Sequence, residues 1–214
     1  MEILLSPVEV RILGSLIEKE LTTPQYYPLS LNALTNACNQ KSNRDPVMEL
    51  NDEELSIVLE ELRFKKLIWQ VSSAGDRVDK YKHNIQAINN FAIQEISILA
   101  ELFLRGPQTL GELRTHTARF YEFESLDEVE KILQGLIDDP KGPFVQKLPR
   151  EAGRKENRYA HLLCGEVIIE SQPDQGEIQI KTPRLEALER EIAFLKEELV
   201  RLKEQFNLFK KQFE

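Results

Sequence analysis

What most constrains the fold of this chain is that it states one order of elements twice. Leu55, Val58 and Leu62 recur as Leu126, Val129 and Leu133, each 71 residues on. Around each set the same succession of helices and strands can be read. In the first copy Ser6-Pro7-Val8-Glu9 is a capping box with proline at the first helical position. Val10, Ile12, Leu13, Leu16 and Ile17 give the apolar stripe of a helix ending near Glu20. A loop over residues 22–28 leads to a short helix over 31–38. The polar stretch Gln40-Lys41-Ser42-Asn43-Arg44-Asp45-Pro46 follows, kept from continuing as helix by its proline. Asn51 with Glu54 starts a third helix that turns Leu55, Val58, Leu59 and Leu62 inward and stops at Lys65-Lys66, cations placed where a helix C-terminus favours them. Residues 67–71 and 78–83 then alternate as two strands around Ala74-Gly75-Asp76.

The second copy has shorter loops. A helix through Ile96, Ile98, Leu99, Leu102 and Phe103 closes at Gly106-Pro107, and capped helices start at Thr109 with Glu112 and at Ser125 with Glu128. A hairpin pairs residues 144–148 with 158–162. Three helices followed by a hairpin within about 75 residues is the winged-helix plan. The sequence therefore predicts a mainly α protein with small β-hairpins (α+β): a winged-helix domain over residues 1–87, another over 88–164, a linker or short hairpin over 165–183, and a heptad-repeat helix over 184–214.

That last helix follows from Leu185, Leu188, Ile192, Leu195, Leu199, Leu202, Phe206, Phe209 and Phe213, which succeed one another at alternating steps of three and four. Thr182-Pro183 starts it. Glu191 with Lys196, Glu198 with Lys203, and Gln205 with Lys210 occupy the flanking positions that pair across a parallel two-stranded coil, so a homodimer is expected. Phe194, Val200 and Leu208 widen the apolar stripe beyond the seam, leaving a bundle, an antiparallel pair or docking onto the chain's own domains as alternatives.

The stretch Leu5-Ser6-Pro7-Val8-Glu9-Val10-Arg11-Ile12-Leu13-Gly14, the stretch Cys38-Asn39-Gln40-Lys41-Ser42-Asn43-Arg44-Asp45-Pro46 and Arg158-Tyr159-Ala160-His161-Leu162-Leu163 resemble the YceH-like family of uncharacterised bacterial proteins. The resemblance spans roughly residues 3 to 165. It implies tandem winged helices in a bacterial cytoplasm and carries no activity with it.

Net charge is −8, spread as −3, −2 and −3 over residues 1–87, 88–164 and 165–214, so no basic tail hides within an acidic average. An anionic chain is steered away from nucleic acid unless a local patch overrides the field. The N-terminus has no basic region or cleavage site and no apolar run approaches the ~20 residues of a membrane span, so a cytoplasmic protein is expected. Cys38 and Cys164 lack CxxC partners and read as two buried thiols, with no disulfide framework or structural zinc.

Two basic candidates stand out as contacts for nucleic acid or a partner. Lys147, Arg150, Arg154, Lys155 and Arg158, offset by Glu151 and Glu156, give the second hairpin a local charge of +3, suited to a phosphate backbone. Lys41, Asn43 and Arg44 offer donors for phosphate or carboxylate beside a helix end; the plainer reading puts Asn43 in a turn and ties Arg44 to a nearby acid. Against DNA, both third helices open acidic, with Asp52-Glu53-Glu54 and with Asp127-Glu128 followed by Glu130. No phosphate loop, nucleophile elbow or metal motif occurs, and His83, His116 and His161 stand alone in sequence, so neither enzyme activity nor a cofactor is expected. The reading is an adaptor that binds protein partners and self-associates through its coil. The alternative is a DNA-binding regulator, or a nucleoid-associated protein, that uses the second hairpin.

Overall fold

In the computed structural model, which describes residues 3–72, 78–150 and 156–165, the capping signals do what their residue types dictate. Ser6 Oγ accepts from Glu9 N–H at 3.2 Å while the Glu9 carboxylate accepts from Ser6 N–H at 2.8 Å, starting α1 (Pro7–Thr22). The strand β1 (Leu29–Ser30) leads directly into α2 (Leu31–Cys38). Asn51 and Glu54 form the same reciprocal box before α3 (Asp52–Phe64). Strands β2 (Ile68–Val71) and β3 (Lys80–His83) follow. The second half contains α4 (Ile93–Arg105), α5 (Leu110–Thr117), α6 (Leu126–Asp138), β4 (Val145–Lys147) and β5 (Tyr159–His161). The described residues are thus α+β, with six α-helices and two small antiparallel sheets.

Several sequence expectations are corrected. Helix α1 runs a turn's half further than Glu20, to Thr22, whose hydroxyl donates back to the Glu18 carbonyl at 2.7 Å. The first sheet has three strands, ordered β1-β3-β2, because Leu29 and Ser30 pair with Tyr81 and Lys80. Cys164 is exposed, and only Cys38 is buried. The 71-residue repeat is offset from the structural one. The caps Asn51 and Ser125, and the buried pairs Leu55/Val129, Leu59/Leu133 and Leu62/Leu136, are each 74 apart, whereas Leu126 is 44% exposed. Since 71 and 74 differ by close to one helical turn, an apolar stripe overlays itself at either offset. Only the caps decide between them.

The second hairpin is shorter as a ladder than expected. Its backbone bonds nevertheless continue one residue at each end, Leu162 N–H to the Phe144 carbonyl and Leu148 N–H to the Arg158 carbonyl, both 2.8 Å. Gln108 and Tyr159 exchange backbone bonds just before α5, in the place β1 occupies before α2. The tips of both hairpins, residues 73–77 and 151–155, and the whole of 166–214 with its heptads lie outside the described residues.

Helix α1 is buried from Glu9 through Glu18, because α4 covers the side that α2 and α3 leave open. At the crossing, a Cβ on Gly14 would stand 2.9 Å from Phe103 Cβ and 3.0 Å from Leu104 Cδ2. Counted from the N3 glutamates Glu9 and Glu95, the position matching Gly14 in α4 is Ala100, also small and fully buried. Close approach of α1 and α4 therefore joins both halves into one core, within a single compact unit.

Candidate functional site

Charged side chains run through the junction between the halves. Glu18, at the buried end of α1, receives the Arg44 guanidinium on both carboxylate oxygens and Arg119 Nη1 at 2.6 Å. Glu101 of α4 receives Arg119 Nη2 at 2.6 Å and lies 3.2 Å from Arg105 Nε. Arg119 thus bridges one acid from each half. Burial would raise the Glu18 pKa, but Arg44 and Arg119 outweigh it and hold the group below its usual range. At Glu101 burial dominates, and Arg119 with Arg105 only partly offsets the rise. Arg11, 1% exposed, donates to the Cys38 carbonyl at 3.2 Å and the Pro46 carbonyl at 2.7 Å, tying α1 to the loop after α2.

Arg44, one of the basic candidates, is part of this interior. Its Nε and Nη2 also bond the Ala37 carbonyl, so its donors serve the fold and do not face a partner. Asn43 sits at φ +58°, a left-handed conformation that asparagine tolerates, and its Oδ1 accepts from Arg105 Nη2. Of that group only Lys41 is exposed.

A cleft of about 200 Å³ opens beside this loop, lined in part by Asn43, Arg105, Gln108, Glu112, His116 and Arg158. His116 Nδ1 is 2.6 Å from Gln108 Oε1, and its Nε2 faces Arg105 Nη1 at 3.4 Å. Arginine can only donate, so Nε2 is the acceptor and the ring is neutral. Burial, then Arg105, lowers the His116 pKa in agreement. Arg158, counted among the hairpin cations, is 3.4 Å from the Glu112 carboxylate and so faces the cleft. These groups answer one another, and the cleft joins the halves chemically as α1 and α4 join them sterically.

The remaining hairpin candidates divide. Lys147 is exposed with Nζ 5.7 Å above the Tyr159 ring, Arg150 is exposed, and Arg154 and Lys155 lie outside the described residues. Sequence reasoning missed Glu18, Glu101 and Arg119, which look like ordinary surface charges in a one-dimensional reading. It also missed the outer face of α3, where Ile57 is 65% and Phe64 90% exposed among Glu53, Glu60 and Glu61. The signal was available: both fall opposite the Leu55, Leu59 and Leu62 stripe on a helical projection. His83 Nε2 lies 2.6 Å from Glu20, and the half-buried His161 packs edge-on against Phe103. Among the described residues no group of histidine, cysteine and carboxylate side chains could hold a metal, and no helix is long and apolar enough to cross a membrane.

Comparison with known proteins gives one consistent relationship. The family model described as "Protein of unknown function, DUF480" matches residues 5–154. A UPF0502 protein of Geobacter sulfurreducens is 49% identical over 221 residues, covering all of both chains. A UPF0502 protein of Aeromonas hydrophila is 46% identical over 207 residues, 93% of this chain and 94% of the relative. One from Pelobacter propionicus is 45% identical across the whole of both chains. All are bacterial, in keeping with the YceH-like resemblance.

Proposed function

The chain belongs to the DUF480 family of proteins of unknown function, and we propose that it is a non-enzymatic cytoplasmic adaptor. Two winged helices in tandem bind protein partners, and the C-terminal heptad helix pairs two chains in parallel. The order helix, helix, helix, hairpin in both halves supports the winged-helix assignment, with the strand β1 between the first two helices of the first half answered by the Gln108–Tyr159 bridge in the second.

The observation that carries the adaptor reading is electrostatic. Where a DNA-reading winged helix brings its third helix to bases and phosphates, α3 and α6 carry exposed Asp52, Glu53, Glu54, Asp127 and Glu130. Like charge at the intended contact opposes a phosphate backbone. A second reading, DNA binding through the second hairpin, draws on exposed Lys147 and Arg150.

Fluorescence anisotropy of labelled mixed-sequence duplex DNA with full-length protein over a salt series separates the two. The adaptor reading expects no binding even at low salt. Binding with a log-log salt slope of about −3 or steeper, flattened when Lys147, Arg150, Arg154, Lys155 and Arg158 become alanine, would replace it with the DNA reading.

A further inference from the structure

We propose that the outer face of α3 is a docking surface whose occupant is a basic, amphipathic helix of a partner protein. The inference rests on the adaptor reading and adds to it the place and chemistry of the contact. Ile57 and Phe64 are seven residues apart, two turns along one face and about 10 Å from each other at 1.5 Å per residue. They point away from Leu55, Leu59 and Leu62, which are 0–1% exposed and fill the core. Nothing in the fold needs them apolar.

The second half provides an internal control. At the structural offset of 74, Glu53, Ile57, Glu60, Glu61 and Phe64 correspond to Asp127, Lys131, Gln134, Gly135 and Asp138 of α6, all exposed and none a large apolar residue. The corresponding element of the second half is thus built without a large apolar side chain at these positions. In α3, two large apolar side chains stand in water at a cost that a covering partner would remove.

Charge identifies the occupant. Glu53 precedes Ile57 by one turn, and Glu60 and Glu61 lie between Ile57 and Phe64. Glu60 is partly answered by Arg63 at 2.7 Å. Beside Phe64 the chain also carries Lys65, held by Glu9 at 2.7 Å, and exposed Lys66, so the acidic rim lies around Ile57; it repels nucleic acid and anionic lipid. It also opposes an isologous pairing of two α3 faces, which would set the same acids against each other. A helix with apolar residues on one stripe and Lys or Arg along its edges satisfies both the apolar pair and its rim, in the helix-on-face mode of peptide recognition.

The test uses full-length protein and a fluorescein-labelled synthetic helix with leucines at i, i+3 and i+7 flanked by lysines, beside a twin with glutamate at every lysine. The wild type should bind the lysine peptide more tightly than about 100 μM and progressively more weakly with salt. Ile57→Ser/Phe64→Ser and Glu53→Lys/Glu60→Lys/Glu61→Lys should each weaken binding at least tenfold. Asp127→Lys/Asp138→Lys on α6 should leave it unchanged. All substituted positions are exposed, and thermal melts verify folding. The α3 assignment is overturned by unweakened binding in the α3 variants, by equal binding of the acidic twin, or by no wild-type binding at about 100 μM. A fall in particle mass by light scattering for Ile57→Ser/Phe64→Ser would assign the face to a second copy instead. The adaptor reading itself falls only to the DNA titration, so the two failures are distinguishable.

Discussion

Gly14 and Phe103 touch so closely that the crossing of α1 and α4 has no room for a side chain on the glycine. A Cβ there would meet Phe103 Cβ at 2.9 Å, an atom fixed to its own backbone and unable to swing aside. In an isolated helix Gly→Ala stabilises by about 1 kcal/mol. Here overpacking reverses the sign, and Gly14→Ala should destabilise by about 1–3 kcal/mol, read as a lowered urea midpoint at unchanged slope. Gly111, with open space around its Cβ direction, is the control: Gly111→Ala should be neutral or stabilising.

Glu18 holds two arginines, and Arg44 has a side chain 0% exposed. Glu18→Ala strands a buried guanidinium and should cost about 3–5 kcal/mol, while Glu18→Gln, which keeps an acceptor, should cost less. Denaturant unfolding of both variants measures this. Equal, small losses would mean that water solvates Arg44 after all.

His161 gives stability a pH dependence of known sign. Its ring lies edge-on to Phe103 with centroids 5.1 Å apart, its Nδ1 is buried without a partner, and burial pushes its pKa down to about 4. An unfolded histidine titrates near 6.5, so between pH 6.5 and 4 the unfolded chain binds a proton that the folded chain refuses, and stability falls as pH falls across that window. The contribution is about 3 kcal/mol between pH 7 and 4. Subtracting the stability profile of His161→Leu from that of the wild type should isolate it.

The two thiols should react in separate phases. Burial first of all pushes Cys38 up to about 11, whereas Cys164 is exposed. A chromogenic disulfide reagent at pH 8 should titrate one thiol rapidly in native protein and the second only in denaturant. Cys164→Ser should abolish the fast phase.

For the heptad segment, outside the described residues, Leu195→Asp places a charge in the seam and should reduce the mass seen by light scattering from that of two chains to that of one. A single-chain mass for the unsubstituted protein at micromolar concentration would remove the proposed pairing.

Helix starts were legible residue by residue, because a cap is local chemistry: Ser6, Asn51, Thr109 and Ser125 each accept from the N–H three residues on. The repeat was legible in kind and off by a turn in register, since periodicity cannot tell one turn from the next. The strand Leu29–Ser30 was missed because two residues have no measurable alternation. The junction was illegible for another reason. Glu18 and Arg119 are 101 residues apart, and nothing in Ile17-Glu18-Lys19-Glu20 distinguishes the buried acid from its exposed neighbour Glu20. Arg44 shows the converse: of its two readings, a contact and a tie to a nearby acid, the fold has the second, with Glu18 as an acid 26 residues away that spacing alone does not single out.

The tight α1–α4 crossing also acts as a ruler. With both halves on one core, α3 is carried at a set distance from the surface of the second half, so a molecule that engages α3 and reaches across meets its second contact already in position. Its second contact then forms at the effective concentration set by that spacing. Partners of matching reach gain avidity, and those of the wrong length gain none, which makes geometry as selective as chemistry.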